Sequence, residues 1–500
     1  LGLVAEPTHL YVSHLHKDHF DAAFLGEHVS KEATVILPDF PVDHLRQELH
    51  RLGFRRFIST RNGVAEDVER VRITVIAMTA PTDGPLGDSA LIVDDGVVRI
   101  LNQNDSRPSD LDVVAAMGPF DGHFLQFSGA IWYPMVYRMP ERAKRALGER
   151  KRANQLSRAL RYAKGIDAAA VFPSAGPACF LDRELFHLND IDGDPANIFP
   201  DQTVFLDHMK DNGLANGRLL IPGSVAENTG GEWTVTHPVP QETVESIFRE
   251  KRAYLTAYAD RMRPRIDAIL DACPRGRIDI LGALREWFEP LMEQADLTCA
   301  GINGLVVLDH GDGAVVLDFH RRRVDPWDGG DWDYRFFIER RLLESVVARH
   351  VEDWVNDLFL SCRFEAERKG GYNEYVYNFF KGLSPERLQY AEGYYSEKAS
   401  PHELWECSGY RIQRRCPHLK ADLSRFAEVD GDVLTCTMHG WQFELSTGRC
   451  LTSNDRRLYT QPLSSSPASH EASSEGGEAA ANHDRDAGTG AAAGDRTAAG

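Results

Sequence analysis

Residues 13–21 read SHLHKDHFD, directly after the apolar run THLYV, and place three histidines and two aspartates in nine positions. The order is His14-x-His16-x-Asp18-His19. In an extended segment, alternation sends His14 and His16 to one side. A turn then brings Asp18 and His19 round to the same point. Imidazole with carboxylate suits zinc or iron. The flanking sequence reads as an α/β layered domain. THLYVSHL (8–15), ATVILP (33–38), VRITVIAM (71–78), GHFLQF (122–127) and AAAVFPSAG (168–176) read as strands, and 42–53 and 142–165 as helices. ALIVDDGVVRILNQ (90–103) reads as a hairpin turning at Asp95-Gly96. Strands and helices interleaved in this way form layers.

The character changes near residue 241. Residues 242–270 and 334–368 carry helical patterns, and GLVVLDHGDGAVVLDFH (304–320) is a second hairpin. The expected organisation is a metal-binding α/β domain at 1–240, a helical accessory domain at 241–384, a small all-β domain at 385–462 and an acidic tail at 463–500. The tail has too few apolar residues to fold alone.

The 500 residues are too many for one core. Acids outnumber bases 75 to 56, giving a formal net charge of -19. That balance argues against nucleic acid or an anionic membrane surface as partner. No run of eighteen apolar residues offers a transmembrane helix. Eight cysteines spread along so long a chain read as reduced thiols, which places the protein in a cytoplasm. The chain opens at Leu1 inside a folded pattern, which reads as an N-terminal truncation.

Two of those cysteines carry the second signal. Cys416-Pro-His418 and Cys436-Thr-Met-His439 lie 17 residues apart and are followed by GWQFELSTGRC. Two thiolates can hold one iron of a [2Fe–2S] cluster and two imidazoles the other, which is the Rieske arrangement. A Cys₂His₂ zinc site is the alternative. Such a cluster moves single electrons and needs a partner. The histidine group at 14–19 is the other evident redox-capable site.

The HxHxDH motif resembles that of the metallo-β-lactamase superfamily. The resemblance implies an αββα sandwich, here N-terminally truncated, with a bridging aspartate after a hairpin. Asp105, in LNQNDSRP, occupies that place. The two further histidines implied by the superfamily are absent. Asp83 and Asp88 stand where one belongs and Ser174 stands near the other. The remaining His14, His16, Asp18, His19 and Asp105 suffice for one metal. Two histidines and one carboxylate are also the facial set of mononuclear non-haem iron oxygenases, with zinc as the other choice of ion.

A metallo-β-lactamase-like part and a C-terminal Rieske part on one chain resemble the hydroxylases of nucleotide-sugar N-acetyl groups. Those that act on CMP-N-acetylneuraminate and, in actinobacteria, on UDP-N-acetylmuramate are the family in question. YVSHLHKDHFD, LNQNDSRPSDL, LQFSGAIWYPMVY, GPACFLD and FPDQTVFL carry the resemblance. It implies a monooxygenase that turns the N-acetyl methyl into a hydroxymethyl group. It also implies a UDP-sugar substrate, O₂, and a separate NAD(P)H-dependent reductase or ferredoxin. Gln126, Trp132, Tyr133, Tyr137 and Arg107 are the candidate substrate contacts. The rival expectation is a zinc hydrolase with a regulatory Rieske domain.

Overall fold

The computed structural model describes residues 6–79, 86–108, 110–128, 131–274, 276, 278–399, 403–417, 421–437, 440–452 and 457–463. Asp83, His418, His439 and the tail from 464 onward lie outside the described residues.

The N-terminal half has two sheets. Strands β1 (His9–Tyr11), β2 (Thr34–Leu37) and β3 (Arg56–Ser59) pair in parallel. Strands β4 (Ala65–Val68), β5 (Val71–Met78), β6 (Asp88–Asp94), β7 (Arg99–Asn102), β8 (Gly122–Gln126) and β9 (Ala170–Ser174) form the second sheet in that order. The first four are antiparallel neighbours, and β7, β8 and β9 run parallel. Parallel neighbours need a crossover on the sheet face. The helices supply it and divide between the two outer faces. Helices α1 (Ala22–His28) and α2 (His44–Arg51) cover the small sheet through Leu25, Val35, Leu45 and Leu49. Helices α3 (Leu111–Ala115), α4 (Glu141–Ile166) and α5 (Gln202–Asp211) cover the large one through Val114, Leu125, Leu156, Ala159 and Phe205. Ile36, Ile73 and Val75 fill the space between the sheets. The layering is αββα. The hairpin strands β6 and β7 and the long helix α4 lie where the sequence places them. The short strands β3 and β4 have no such signal.

A hairpin, β10 (Val225–Thr229) with β11 (Glu232–Thr236), and helices α6 (Gln241–Arg249) and α7 (Lys251–Asp271) lead into the accessory region. Helices are present there as expected: α8 (Ile280–Glu293), α9 (Asp296–Ile302), α10 (Arg340–Ala348), α11 (Glu374–Lys381) and α12 (Pro385–Ala399). A five-stranded sheet joins them, in the order β14 (Arg323–Pro326), β13 (Ala314–Asp318), β12 (Leu305–Asp309), β15 (Tyr334–Ile338), β16 (Phe364–Arg368). The segment 334–368, whose spacing suggests one long helix, is therefore corrected to strand β15, helix α10, a π-helical turn at Val355–Phe359 and strand β16. Phe336 and Ile338, and Phe364 and Ala366, alternate into the core, a strand period that the intervening helix conceals in the sequence.

The accessory region is welded to the αββα unit. The Arg138 amide donates to the Ala366 carbonyl at 2.8 Å, and the Ala366 amide to Val136 at 3.1 Å. Trp132, Val136, Tyr137, Phe180 and Phe199 belong to the same buried core as Trp354, Phe359 and Phe380.

The C-terminal part has two three-stranded sheets. One pairs β17 (Leu404–Cys407), β18 (Tyr410–Gln413) and β22 (Thr460–Pro462); the other pairs β19 (Ala427–Asp430), β20 (Val433–Cys436) and β21 (Trp441–Glu444). Their small core is formed by Ile412, Leu423, Leu434, Phe443 and Leu445 together with Cys416 and Cys436.

Candidate metal centre

The His14–His19 segment leaves the C-terminal end of β1, and the loop carrying Asp105 leaves the end of β7. Parallel strand ends of an α/β sheet gather loops at one edge, the usual place for a site. There the structure brings His14, His19 and Asp105 together, with one ligand atom from each within 4.8 Å of the others. Of the five residues singled out in the sequence, these three make a two-histidine, one-carboxylate set. His14 is fully buried. Its Nδ1 lies 2.9 Å from Ser13 Oγ and 3.0 Å from Asp88 Oδ1. A carboxylate on one ring nitrogen fixes the tautomer, so Nε2, which here faces His16, is the nitrogen that would coordinate. His19 Nε2 is 3.4 Å from Asp105 Oδ2. Burial works against its charged form, yet the Asp105 carboxylate, with Asp18 and Asp88 beyond it, raises its pKa above the ordinary imidazole value.

His16 and Asp18 stand apart from the three. His16 Nδ1 faces His14 Nε2 at 2.8 Å, and the rings meet edge to face. Burial, then the nearby His14, Lys381, His19 and Arg387, lowers its pKa well below the usual value. A neutral imidazole beside the set remains available as a donor. The Asp18 carboxylate is half-exposed and 3.7 Å from His19 Nε2.

Residues outside the motif hold the set in place. Gln126, at the end of β8, donates its amide to Asp105 Oδ1 at 2.7 Å, leaving Oδ2 towards His19. Gln126, expected as a substrate contact, is thus placed against a carboxylate of the set. Asn104, held at φ 53°, donates to the Ser89 carbonyl, and Ser89 Oγ reaches back to the Ser13 carbonyl at 2.7 Å. Tyr11 completes the link with its hydroxyl 2.7 Å from Ser89 Oγ. Asp88, which stood in the place of a missing histidine, supports His14. Ser174 closes β9.

The aromatic candidates divide between core and surface. Trp132 and Tyr137 are 7% and 2% exposed and pack in the shared core. Trp132 sits edge to face with Phe359 and Phe364, and the Tyr137 and Tyr377 hydroxyls bond each other. Aromatic residues bury large areas, so a WYPMVY run satisfies a core as readily as a platform. Tyr133 is half-buried and accepts from Arg368 at 3.2 Å. Arg107 is exposed, two residues beyond Asp105.

In the C-terminal part, Cys416 and Cys436 are fully buried and unbridged. The Cys416 amide donates to Ala421, closing a tight loop, and Gly440, at φ 73°, donates to the Cys436 carbonyl at 2.8 Å. Arg414 holds Asp422 through two charged hydrogen bonds of 3.0 and 2.9 Å. Despite burial, these and Ser424 bring the Asp422 carboxyl down to about 2. Two buried thiols on adjoining loops fit a cluster that takes two cysteine ligands.

Fold and site together define an iron–sulfur protein: a Rieske [2Fe–2S] domain on one chain with an αββα unit whose His/Asp group fits a non-haem iron. Residues 406–461 match the Rieske [2Fe-2S] domain family, and residues 280–397 match the Rv3818-like, SCP2-like domain. The chain is 50% identical over 467 residues to the Mycobacterium tuberculosis (strain ATCC 25618 / H37Rv) protein Rv3818, named for its Rieske 2Fe-2S iron–sulfur character. That match covers 91% of this chain and 90% of the relative. A Mycolicibacterium smegmatis relative of the same description is 49% identical over 474 residues, covering 92% and 91%. Among solved structures, CmlA, a diiron beta-hydroxylase from Streptomyces venezuelae, matches at a TM-score of 0.28 and 16% identity, over 43% of this chain and 44% of that one. The chain belongs to the Rv3818 family of Rieske 2Fe-2S iron–sulfur proteins. Among the described residues, no helix is long and apolar enough to cross a membrane.

Proposed function

We propose that this protein is a Rieske-dependent monooxygenase that hydroxylates the N-acetyl group of a nucleotide sugar, with UDP-N-acetylmuramate as the substrate. The observation that carries the reading is the His14, His19, Asp105 set on the same chain as a Rieske domain. A two-zinc hydrolase needs a second set of ligands, and here Asp88 is turned to His14.

Iron held by His14, His19 and Asp105 would supply the activation of O₂ that an unstrained methyl C–H bond requires. The balance is one N-acetyl group, O₂, two electrons and two protons, giving one N-glycolyl group and water. Cys416, His418, Cys436 and His439 would hold the [2Fe–2S] cluster, which would supply single electrons drawn from an NAD(P)H-dependent reductase or a ferredoxin. The chain's own residues prepare the site. Asp88 and Ser13 keep the His14 proton on Nδ1. Gln126 fixes the Asp105 carboxylate. His16 stays neutral beside them and Asp18 stands at the mouth. The reaction belongs to the cytoplasm, where nucleotide sugars and reduced thiols occur together.

The test is mass spectrometry of the UDP-muramate pool in a host that makes only the N-acetyl form. Expression of the protein should produce a species one oxygen heavier, and His19→Ala should abolish it while leaving the Rieske spectrum intact. A heavier species that survives His19→Ala moves the reaction away from this site. No heavier species in the presence of a reductase removes the reading.

A further inference from the structure

Helix α4 turns one face towards the loop that follows β7. Tyr162 fixes the approach, its hydroxyl donating to the Pro108 carbonyl at 2.9 Å. Lys151, Gln155, Arg158 and Tyr162 follow one another at helical spacings of three and four, so they form one stripe. Arg107 lies on the facing loop, two residues past Asp105. Burial first, then the charges of Arg107 and Arg158, push Lys151 down to about 8. Burial and then Arg107 push Arg158 down to about 10.

Three cations gathered against a low-dielectric surface repel one another, and folding ordinarily provides an acid between them. This chain does so one residue further round the same helix. Arg145 bonds Asp194 and Arg152 bonds Asp190, each at 2.7 Å. Among the described residues, no carboxylate lies within ion-pair distance of Arg107, Lys151 or Arg158. In a protein with 75 acidic side chains, that arrangement is not for want of acids.

A second observation lies between the cations. Gln155 is 3% exposed, and its Oε1 has no hydrogen-bond partner. The two ends of an amide exchange by a half-turn, which here would present N–H groups to an anion in place of the orphan oxygen. Tyr133 adds a third side to the arrangement. Its ring carries Lys151 Nζ at 5.6 Å and the Arg368 guanidinium, from β16, at 4.8 Å. Guanidinium forks and an ammonium match the oxygens of phosphate esters in charge and geometry.

We propose that Arg107, Lys151 and Arg158 form the subsite for the diphosphate of a nucleotide-linked substrate. The 105–107 loop connects that subsite to the His14, His19, Asp105 group. The identity of the substrate's reacting end rests on the function proposed above; the diphosphate contact does not.

The experiment is calorimetric titration of the full chain with inorganic pyrophosphate and with UDP. Lys151→Gln and Arg158→Gln should each weaken both ligands tenfold or more. Arg142→Gln, an exposed cation at the start of α4, should leave them within twofold. Lys151→Gln should keep or raise the melting temperature without ligand, because it removes a repelled charge; a purely structural lysine would lower it. Should Arg158→Gln fail to fold, Lys151→Gln decides alone, with Lys151→Arg restoring binding. Pyrophosphate affinity unchanged by Lys151→Gln overturns the subsite, as does an absence of binding to the parent protein. Neither measurement needs iron, O₂ or a sugar. Tight, Lys151-dependent pyrophosphate binding in a protein that hydroxylates no nucleotide sugar keeps the subsite and discards the hydroxylase. Hydroxylation whose KM is indifferent to Lys151→Gln does the reverse.

Discussion

Replacing Gln126 by leucine deletes one contact of the metal centre and little else. The side chain is 8% exposed, and its amide donates to Asp105 Oδ1 at 2.7 Å. A hydrogen bond to a charged acceptor contributes about 1.5–3 kcal/mol. Leucine fills most of the glutamine volume, so the loss falls mainly on the Asp105 carboxylate, which becomes free to rotate. Supporting residues of this kind change metal affinity by roughly 10- to 100-fold, which is about 1.4–2.7 kcal/mol and agrees with the hydrogen-bond figure. The assay is competition for ferrous ion between the protein and a chelator of known affinity. The Rieske cluster, followed by its electron paramagnetic resonance signal, serves as an internal reference because Gln126 lies outside that domain. The expected result is a 10- to 100-fold weaker iron site with an unaltered cluster signal. Iron affinity within twofold of the parent would refute the view that Gln126 orients a ligand, and with it the assignment of Asp105 to the metal.

Further expectations follow from other contacts. Metal analysis of the protein loaded under anaerobic conditions should give about three irons per chain, two in the cluster and one at the His/Asp set; Cys416→Ser should remove about two and His19→Ala about one. Two irons plus a zinc would instead favour the hydrolase. Tyr137→Phe and Tyr377→Phe should each cost about 1–3 kcal/mol in denaturant melts, since either leaves a buried hydroxyl alone, whereas the double variant should cost less than the sum; simple additivity would show that the pair does not interact. His123 is fully buried against Gln103, and burial takes its pKa down to about 3. The unfolded chain therefore binds a proton between about pH 6.5 and 3 that the folded chain refuses. Its contribution is present above pH 6.5 and is lost on acidification, by about 1.4 kcal/mol per pH unit. His123→Gln should flatten the pH dependence of stability in that window; an unchanged slope would mean that His123 is charged inside.

The residues that report themselves in the sequence are those whose chemistry is local. His14 and His19 lie five positions apart, and each Cys–His pair spans three or four positions, so spacing alone exposes them. Asp105 is legible because a hairpin precedes it. Gln126, Asp88 and Ser13 are not, because what they do depends on which strand ends the fold brings side by side. An apolar strand followed by glutamine gives no sign of an aspartate 21 residues earlier. Trp132 and Tyr137 are ambiguous in the sequence for a related reason. An aromatic run has the same composition whether it lines a pocket or joins two cores, and only the Ala366 backbone bonds decide. The accessory sheet is hidden because β15 and β16 flank a helix, and a window long enough to detect that helix averages the strand period away.

The join between the αββα unit and the accessory region also sets a timetable. Tyr390 donates to the Thr79 carbonyl at 2.5 Å, Lys17 pairs with Asp357, and the charges of Lys381 and Arg387 bear on His16. A ribosome therefore releases the metal-binding segment at residues 13–21 long before it has made the wall beside it. Until residue 390 or so has emerged, the pocket around His14 and His16 lacks one side and stands open to water and to any passing ion. The surroundings of His16 are thus completed late, on a chain whose Rieske cysteines are only tens of residues from completion.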